Sequence, residues 1–165
     1  MKVRLAADLQ SDSIVDGEGI RTVIWFQGCS HNCEGCHNPE THDFLGGKEY
    51  ELEDIKEQIK NLECQDGITL SGGDPFFQSA AALELAKCAK EQGLNVWAYT
   101  GFLFEDLIKL KAFKDLLEYI DVLIDGKFDI TKKSMNCKYR GSTNQRIIDV
   151  KKSLEKKKII IYCED

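Results

Sequence analysis

Residues 28–39 read GCSHNCEGCHNP and place three cysteines, Cys29, Cys33 and Cys36, within eight residues of chain. Such a short loop can aim three sulfurs at one inorganic centre, because soft thiolates are the ligands of iron–sulfur clusters. The next cysteine, Cys64, lies on a different segment. A cubane held by three thiolates keeps one open iron, which can bind a substrate or cofactor. The spacing therefore favours a catalytic cluster over an electron-storage one.

The length, charge and cysteine content limit the class of protein that this chain can be. The chain has 165 residues, enough for one domain with a hydrophobic core but fewer than the roughly 250 of a complete eight-unit βα barrel. The net charge of −6 argues against a nucleic-acid partner, which needs a concentrated basic surface. No apolar run approaches the ~20 residues that span a bilayer. Seven cysteines, an odd number, with no secretory signal at the start, indicate reduced thiols in the cytoplasm.

Strand-like and helix-like segments alternate along the chain. The β-branched and aromatic run 21–27 predicts a core strand that leads directly into the cysteine loop, at the end where βα folds place their chemistry. The alternation predicts one α/β domain over residues 1–165, a truncated, open (βα) barrel with a mostly parallel sheet. Further strands are expected at 67–70, 94–99, 120–124, 146–150 and 158–162, and a short edge strand within 1–8. Helices are expected at 52–62, 78–92 and 104–119, the last with a break near Lys111, and loops at 10–19 and 129–145.

A second group of polar residues follows the later strands. The run SGGDP, residues 71–75, ends the second core strand. Its glycines expose backbone carbonyls that can accept from an ammonium group, and Asp74 adds a carboxylate or fixes the turn. The same residues also suit an ordinary βα turn. Thr100 and Asp125 follow the next two strands, so they are expected near the same edge of the sheet.

Four stretches resemble one enzyme superfamily. The spacing Cys29-x3-Cys33-x2-Cys36 resembles the cluster loop of the radical S-adenosylmethionine (SAM) enzymes. The lead-in at 15–22, VDGEGIRT, resembles the glycyl-radical-enzyme activases within that superfamily. The stretches WAYTG and RGSTNQR, at 97–101 and 140–146, are similar to one branch, the activating proteins of class III anaerobic ribonucleoside-triphosphate reductase.

This resemblance implies a reaction and its cofactors. It implies a [4Fe-4S] cluster and SAM, reductive cleavage of SAM, and a 5′-deoxyadenosyl radical that abstracts hydrogen from a glycine of the reductase large subunit. Reduced flavodoxin or ferredoxin would supply the electron, and no membrane or nucleic acid would take part. The cluster and SAM would carry the chemistry, with no catalytic side chain beyond them.

The resemblance also implies roles for single residues. The run SGGDP matches the superfamily motif that binds the methionine ammonium, which marks Ser71, Gly72, Gly73 and Asp74 as cofactor-binding. Asp125, with Lys127 two positions on, resembles a pair near the SAM carboxylate in related activases, although a charged turn explains it equally. Thr100 is a candidate SAM contact by position, and Gly35 leaves room at the open iron. In the wider superfamily the residue before the last cluster cysteine is often aromatic and packs near the adenine of SAM. Here that residue is Gly35, so another residue must pack against the adenine.

Three other interpretations stay open on the sequence. An activase of another glycyl-radical enzyme, such as pyruvate formate-lyase, is the nearest. A ferredoxin-like electron carrier would need a fourth protein ligand. A zinc-binding module would be completed by His31 or His37, because structural zinc takes four ligands. The loop 137–146 is expected either to close over SAM or to bind the partner.

The other cysteines are expected to be passive, since a buried free cysteine behaves as a small apolar residue. They are Cys64, Cys88, Cys137 and Cys163, of which Cys137 is the one expected to be redox-reactive.

Overall fold

The computed structural model describes residues 1–36, 38–134 and 138–163. One mixed sheet carries the fold, with the strand order β4-β1-β3-β5-β6-β7-β8 and β2 paired to β3. The strands are β1 Lys2–Leu5, β2 Gln10–Ser13, β3 Arg21–Phe26, β4 Lys48–Glu51, β5 Gly67–Gly72, β6 Asn95–Tyr99, β7 Val122–Asp125 and β8 Arg146–Asp149. The helices are α1 Leu52–Lys60, α2 Ser79–Glu91, α3 Phe104–Leu107, α4 Lys111–Leu117 and α5 Val150–Lys156.

Four parallel strands form the centre of the sheet. β3 pairs with β5, β5 with β6, and β6 with β7, all in parallel. The register sets Phe26 beside Gly72 and Tyr99 beside Ile124. The carboxyl ends of all four strands therefore meet at one edge, which is the edge where the cysteine loop begins.

The two faces of the sheet carry different cores. Side chains alternate along a strand, so Val96 and Ala98 of β6 join the large apolar core that includes the buried faces of α1 and α2. The intervening Trp97 belongs to a smaller cluster with Val122, Ile124 and Ile147 on the opposite face. This second face lies opposite the helices and is therefore the inner, concave side of the barrel, since helices form the outer layer of βα barrels. The barrel is incomplete, because the sheet runs from β4 to β8 without returning on itself.

The parallel βα core and the open partial barrel confirm the predicted fold class. The flanking strands are antiparallel, which the βα rhythm does not indicate: β1 and β2 pair with β3 in that sense, and β8 with β7. The segment 104–119 is broken just before Lys111, near the predicted position, into two short helices, α3 and α4.

Three predictions at the sheet margins were wrong. β1 is not an edge strand, because β4 pairs along its outer side. β2 lies in a segment predicted to be a loop, and its sequence QSDS is mostly exposed, so it has no apolar alternation to reveal it. The segment 158–162 makes one isolated bridge, Ile148 to Ile161, instead of a strand.

None of the helices in the described ranges combines the length and the apolar character required to cross a membrane.

Candidate active site

A cavity of about 640 Å³ opens at the carboxyl ends of the parallel strands. Its wall includes residues from all four strand ends and from the segment before β8: Cys29, Cys33, Cys36, Ser71, Gly72, Gly73, Thr100, Gly126 and Gln145. Most of the residues predicted to hold the cluster and SAM therefore share one cavity. Gly35, Asp74 and Asp125 lie outside its wall.

Backbone hydrogen bonds tie the start of the cysteine loop to the chain that follows it. The Gly28 N–H donates to the Thr41 carbonyl at 2.6 Å, and the Cys29 N–H donates to the His42 carbonyl at 3.2 Å. At its far end the Cys36 N–H donates to the Cys33 carbonyl at 3.2 Å, which closes a tight turn. The three thiols are thus carried by a loop that is closed at its base and contains a tight turn at its last two cysteines.

The three thiols are free and half-buried. Burial raises the pKa of Cys29 to about 11, although the backbone N–H of His31 acts in the opposite direction. Burial also raises the pKa of Cys33, and the backbone N–H of Phe128 opposes it. Without a metal these two thiols keep their protons at neutral pH, and iron must displace those protons to bind. The two N–H groups then favour the thiolates.

The donor set fits an iron–sulfur cluster. Within the described ranges, no three cysteine, histidine or acidic side chains converge as they would on a single metal ion. The three thiols nevertheless line the same cavity. In a cubane each thiolate binds a different iron, so the sulfurs stand further apart than the donors of one ion.

Gly72 and Gly73 are required by close contact between two strand ends. Gly72 has φ +100°, and a Cβ there would stand 2.3 Å from the Phe26 carbonyl oxygen. A Cβ on Gly73 would stand 2.4 Å from the Gly28 carbonyl oxygen. The Gly73 N–H donates to the Phe26 carbonyl at 2.8 Å, which joins the two loops directly. The glycines therefore let the end of β5 lie against the cysteine loop while still lining the cavity.

Asp74 faces the protein rather than the cavity, and its side chain is 1% exposed. Its Oδ1 accepts from the Phe76 N–H at 3.0 Å. Its Oδ2 accepts from the Thr100 hydroxyl at 2.8 Å and from the Gly101 N–H at 2.9 Å. Of the two sequence interpretations, a carboxylate that fixes the turn describes these contacts, and not one aimed at a ligand.

Asp125 is also engaged inside the protein. Both of its carboxylate oxygens accept from the guanidinium of Arg146, and Oδ2 also accepts from the Phe104 N–H at 2.8 Å. The carboxylate is fully buried. Its side chain does not line the cavity, although the next residue, Gly126, does.

The comparisons with known proteins agree with this site. The profile of the 4Fe-4S single cluster domain family matches residues 15–148. The anaerobic ribonucleoside-triphosphate reductase-activating protein of Enterobacteria phage T4 is 36% identical over 141 residues, which cover 81% of this chain and 86% of the phage protein. The protein of the same name from Pasteurella multocida (strain Pm70) is 36% identical over 146 residues, covering 81% and 90%. The chain belongs to this family of activating proteins.

Two further similar proteins carry other names. The pyruvate formate-lyase-activating enzyme of Clostridium pasteurianum is 34% identical over 126 residues, which cover 72% of this chain but only 50% of that enzyme. The crystal structure of QueE from Escherichia coli superposes with a TM-score of 0.52 at 17% identity, over 61% of this chain and 53% of QueE. The second likeness concerns the fold alone. The family membership confirms the resemblance drawn from the motifs, the prediction of a 4Fe-4S cluster and the enzyme class.

The space beside Gly35 is filled by residues that follow β7. Gly35 has φ +73°, and a Cβ there would stand 2.5 Å from Ile130 Cδ1 and 3.4 Å from the Phe128 ring. Phe128 also lines the cavity. The aromatic ring that often precedes the last cluster cysteine in the wider superfamily is replaced here by Gly35, and Phe128 brings a ring to that place from another segment.

The segment before β8 forms one wall of the cavity and is braced by Gln145. Its side-chain carbonyl accepts from the Gly141 N–H at 2.8 Å, and its amide donates to the Gly126 carbonyl at 3.0 Å. The stretch 140–146, which resembles the reductase activases, is thus a loop with an internal hydrogen bond, and a second bond joins it to the end of β7. Its two expected roles, closure over SAM and binding of the partner, stay predictions. The predictions made for His37 and Cys137 lie outside the described residues.

The three other described cysteines, Cys64, Cys88 and Cys163, lie outside the cavity wall. Cys88 is buried in the large apolar core that includes α1 and α2, while Cys64 is exposed. The residue that sequence reasoning missed is His31, for which the sequence suggests only a zinc ligand. Its side chain contacts Asp74, and the spacing along the chain gives no sign of that contact.

Proposed function

We propose that this chain activates an anaerobic ribonucleoside-triphosphate reductase by generating a glycyl radical in the reductase large subunit. The observation that carries the proposal is the shared cavity: three free thiols and the Gly72–Gly73 strand end face the same space in a member of this family. The proposal also explains why that space lies at the open side of an incomplete barrel, where a protein loop can enter.

Cys29, Cys33 and Cys36 would hold the [4Fe-4S] cluster through three thiolates. When bound, the cluster and SAM would supply an organic radical, by reductive cleavage of SAM, that takes a hydrogen atom from a glycine Cα. The residues of the chain bind, orient and shield these groups. The backbone N–H groups of His31 and Phe128, which favour the ionised forms of Cys29 and Cys33, would also favour the metal-bound thiolates.

SAM would lie along the strand ends of β5 and β6. Ser71, Gly72, Gly73 and Thr100 line the cavity there, and the strand-end peptide groups suit the methionine ammonium. Asp74 would act by holding that strand end in place, since both of its oxygens are already bonded within the protein. Two other predicted cofactor residues, Gly35 and Asp125, would act indirectly, by admitting the Phe128 ring and by anchoring β8.

The substrate would be a polypeptide segment that enters from the concave face. The sheet does not close, so this face stays accessible between its two margins. Apolar side chains stand at the cavity wall there, with Ile14 and Val15 each 70% exposed. Reduced flavodoxin or ferredoxin would be the electron donor in a reducing cytoplasm, in keeping with the three free thiols of the cysteine loop.

The pyruvate formate-lyase interpretation is less well supported. The chain spans only half of the matching activating enzyme, whereas it spans 86% or more of the two reductase-activating proteins described above.

The proposal is tested by SAM cleavage in the anaerobically reconstituted, chemically reduced protein. Release of methionine and 5′-deoxyadenosine is expected, and it should increase when the reductase large subunit is present. A ferredoxin-like carrier would transfer electrons without consuming SAM. Pyruvate formate-lyase serves as the control protein, and stimulation by that enzyme instead of the reductase would overturn the assignment.

A further inference from the structure

His31 stands inside the cysteine loop, midway between Cys29 and Cys33, where it borders the cavity and also reaches the loop after β5. Its side chain is 8% exposed, and its Nε2 lies 2.7 Å from Oδ2 of Asp74. The two residues are 43 positions apart in the chain. This contact therefore joins the loop after β3 to the loop after β5.

The bonding of Asp74 determines what His31 contributes. Oδ2 already accepts from the Thr100 hydroxyl and the Gly101 N–H, and Oδ1 accepts from the Phe76 N–H. Because Oδ2 is the acceptor in both of its other bonds, we assign the imidazole proton to Nε2 of His31, which then donates to the same oxygen. One buried oxygen thus collects donors from the cysteine loop and from the end of β6.

Packing fixes the imidazole ring in the same position. The ring lies edge-on to Phe102, with centroids 4.6 Å apart, and tilted against Phe77 at 5.4 Å. Gly101 leaves the required room, because a Cβ there would stand 2.5 Å from the imidazole. The ring is therefore held between the loops that follow β5 and β6, with its Nε2 directed at the Asp74 carboxylate.

We propose that His31 is a positioning residue, which locks the Cys29–Cys36 loop onto Asp74 and thereby sets the thiols against the SAM-binding strand ends. The proposal rests on the proposed function and deepens it. Although His31 borders the cavity, the proposed role of both residues is the contact between them and not a contact with the cluster or with SAM. They act as one unit, because each residue needs the other for its effect.

The test compares His31→Leu, His31→Gln, Asp74→Asn and the double variant His31→Leu/Asp74→Asn after anaerobic reconstitution. One readout is the rate at which a chelator removes iron, and the other is the Kd of SAM from the change in the cluster's electron paramagnetic resonance spectrum. Loss of a hydrogen bond to a buried charge should accelerate iron loss about tenfold in His31→Leu and in Asp74→Asn. SAM affinity should fall in the same variants. His31→Gln, which keeps a donor near the Nε2 position, should recover most of both.

The double variant is decisive, because residues that act as a unit are not additive. It should be no worse than either single variant. Asp121→Asn is the matched control: Asp121 also ties two elements, through the Val96 N–H at 2.8 Å and Lys90 Nζ at 2.6 Å, but at the opposite edge of the sheet. It should lower the thermal stability of the cluster-free protein without changing iron retention.

Three results would overturn the proposal. Additive effects would mean that the two residues act separately. If SAM affinity fell in Asp74→Asn but stayed unchanged in the His31 variants, Asp74 would bind SAM itself. Equal iron loss in Asp121→Asn would reduce the contact to general stability. If the coupling is found but the reductase is not activated, the positioning role stands and the proposed function fails.

Discussion

Arg146 and Asp125 form a two-pronged ion pair across the antiparallel strands β7 and β8, with Nε 3.0 Å from Oδ1 and Nη2 bonded to Oδ2. The two residues are register partners, and Asp125 is fully buried. Arg146 also pairs with Glu105 at 2.6 Å. This network fixes β8, the strand that directly follows the cavity wall formed by residues 138–141 and Gln145.

Removing the arginine should be costly for stability. Arg146→Ala leaves the Asp125 carboxylate buried without its cation, which is expected to lower the free energy of unfolding by about 3–5 kcal/mol. Urea denaturation of the cluster-free protein measures this change. Adding Asp125→Asn should restore part of the loss, because no charge is then left unpaired. An unchanged urea midpoint for Arg146→Ala would show that the pair does not hold β8.

The same network predicts a dependence of stability on pH. The hydrogen bond from Arg146 lowers the pKa of Glu105 below its ordinary value of 4.5. The ionised carboxylate therefore stabilises the folded protein above that value, and the contribution is lost as the pH falls through the lower folded-state pKa. Because Glu105 is half-exposed, the effect should be small, about 0.2–1 kcal/mol. Unfolding of Glu105→Gln and the unaltered chain should differ at about pH 7 and converge at about pH 3.

Ligation is tested by single cysteine substitutions. Cys29→Ala, Cys33→Ala and Cys36→Ala should each lose iron and the brown colour, because each removes one of three thiolates. Matched changes at Cys64 and Cys88, which lie outside the cavity wall, should leave iron and sulfide content unchanged. The measurement is metal and sulfide analysis after anaerobic reconstitution. Cluster loss in the second set would reveal a fourth protein ligand and remove the open iron.

The glycine pair should be sensitive for reasons of backbone contact. In Gly72→Ala the new Cβ would press on the Phe26 carbonyl at 2.3 Å, so the cysteine loop must shift and both cluster assembly and SAM binding should weaken. Gly93→Ala is the control, since Gly93 also has a positive φ, +77°, but a Cβ added there would meet nothing within 4 Å. It should cost only about 1 kcal/mol of backbone strain. Equal iron content in both variants would contradict the contact.

The sequence predicted the parts of the site that short stretches encode. The cysteine spacing and the SGGDP run mark the ends of β3 and β5 because each lies directly after a run with strand character. The sequence could not predict the contacts between those two strand ends. Nothing local joins His31 to Asp74 across 43 positions, and the pairing of Asp125 with Arg146 depends on β8 running antiparallel. β4, with the sequence KEYE, was missed because its side chains are mostly exposed.

The central claim is hydrogen transfer from a glycine of the reductase, and isotope transfer tests it most directly. The reduced protein is mixed with SAM and with a reductase large subunit whose glycines carry deuterium at Cα. Deuterium should appear in 5′-deoxyadenosine, and the doublet that the unlabelled reductase shows by electron paramagnetic resonance should collapse towards a singlet. Cleavage of SAM with unlabelled 5′-deoxyadenosine and no such signal would contradict the account.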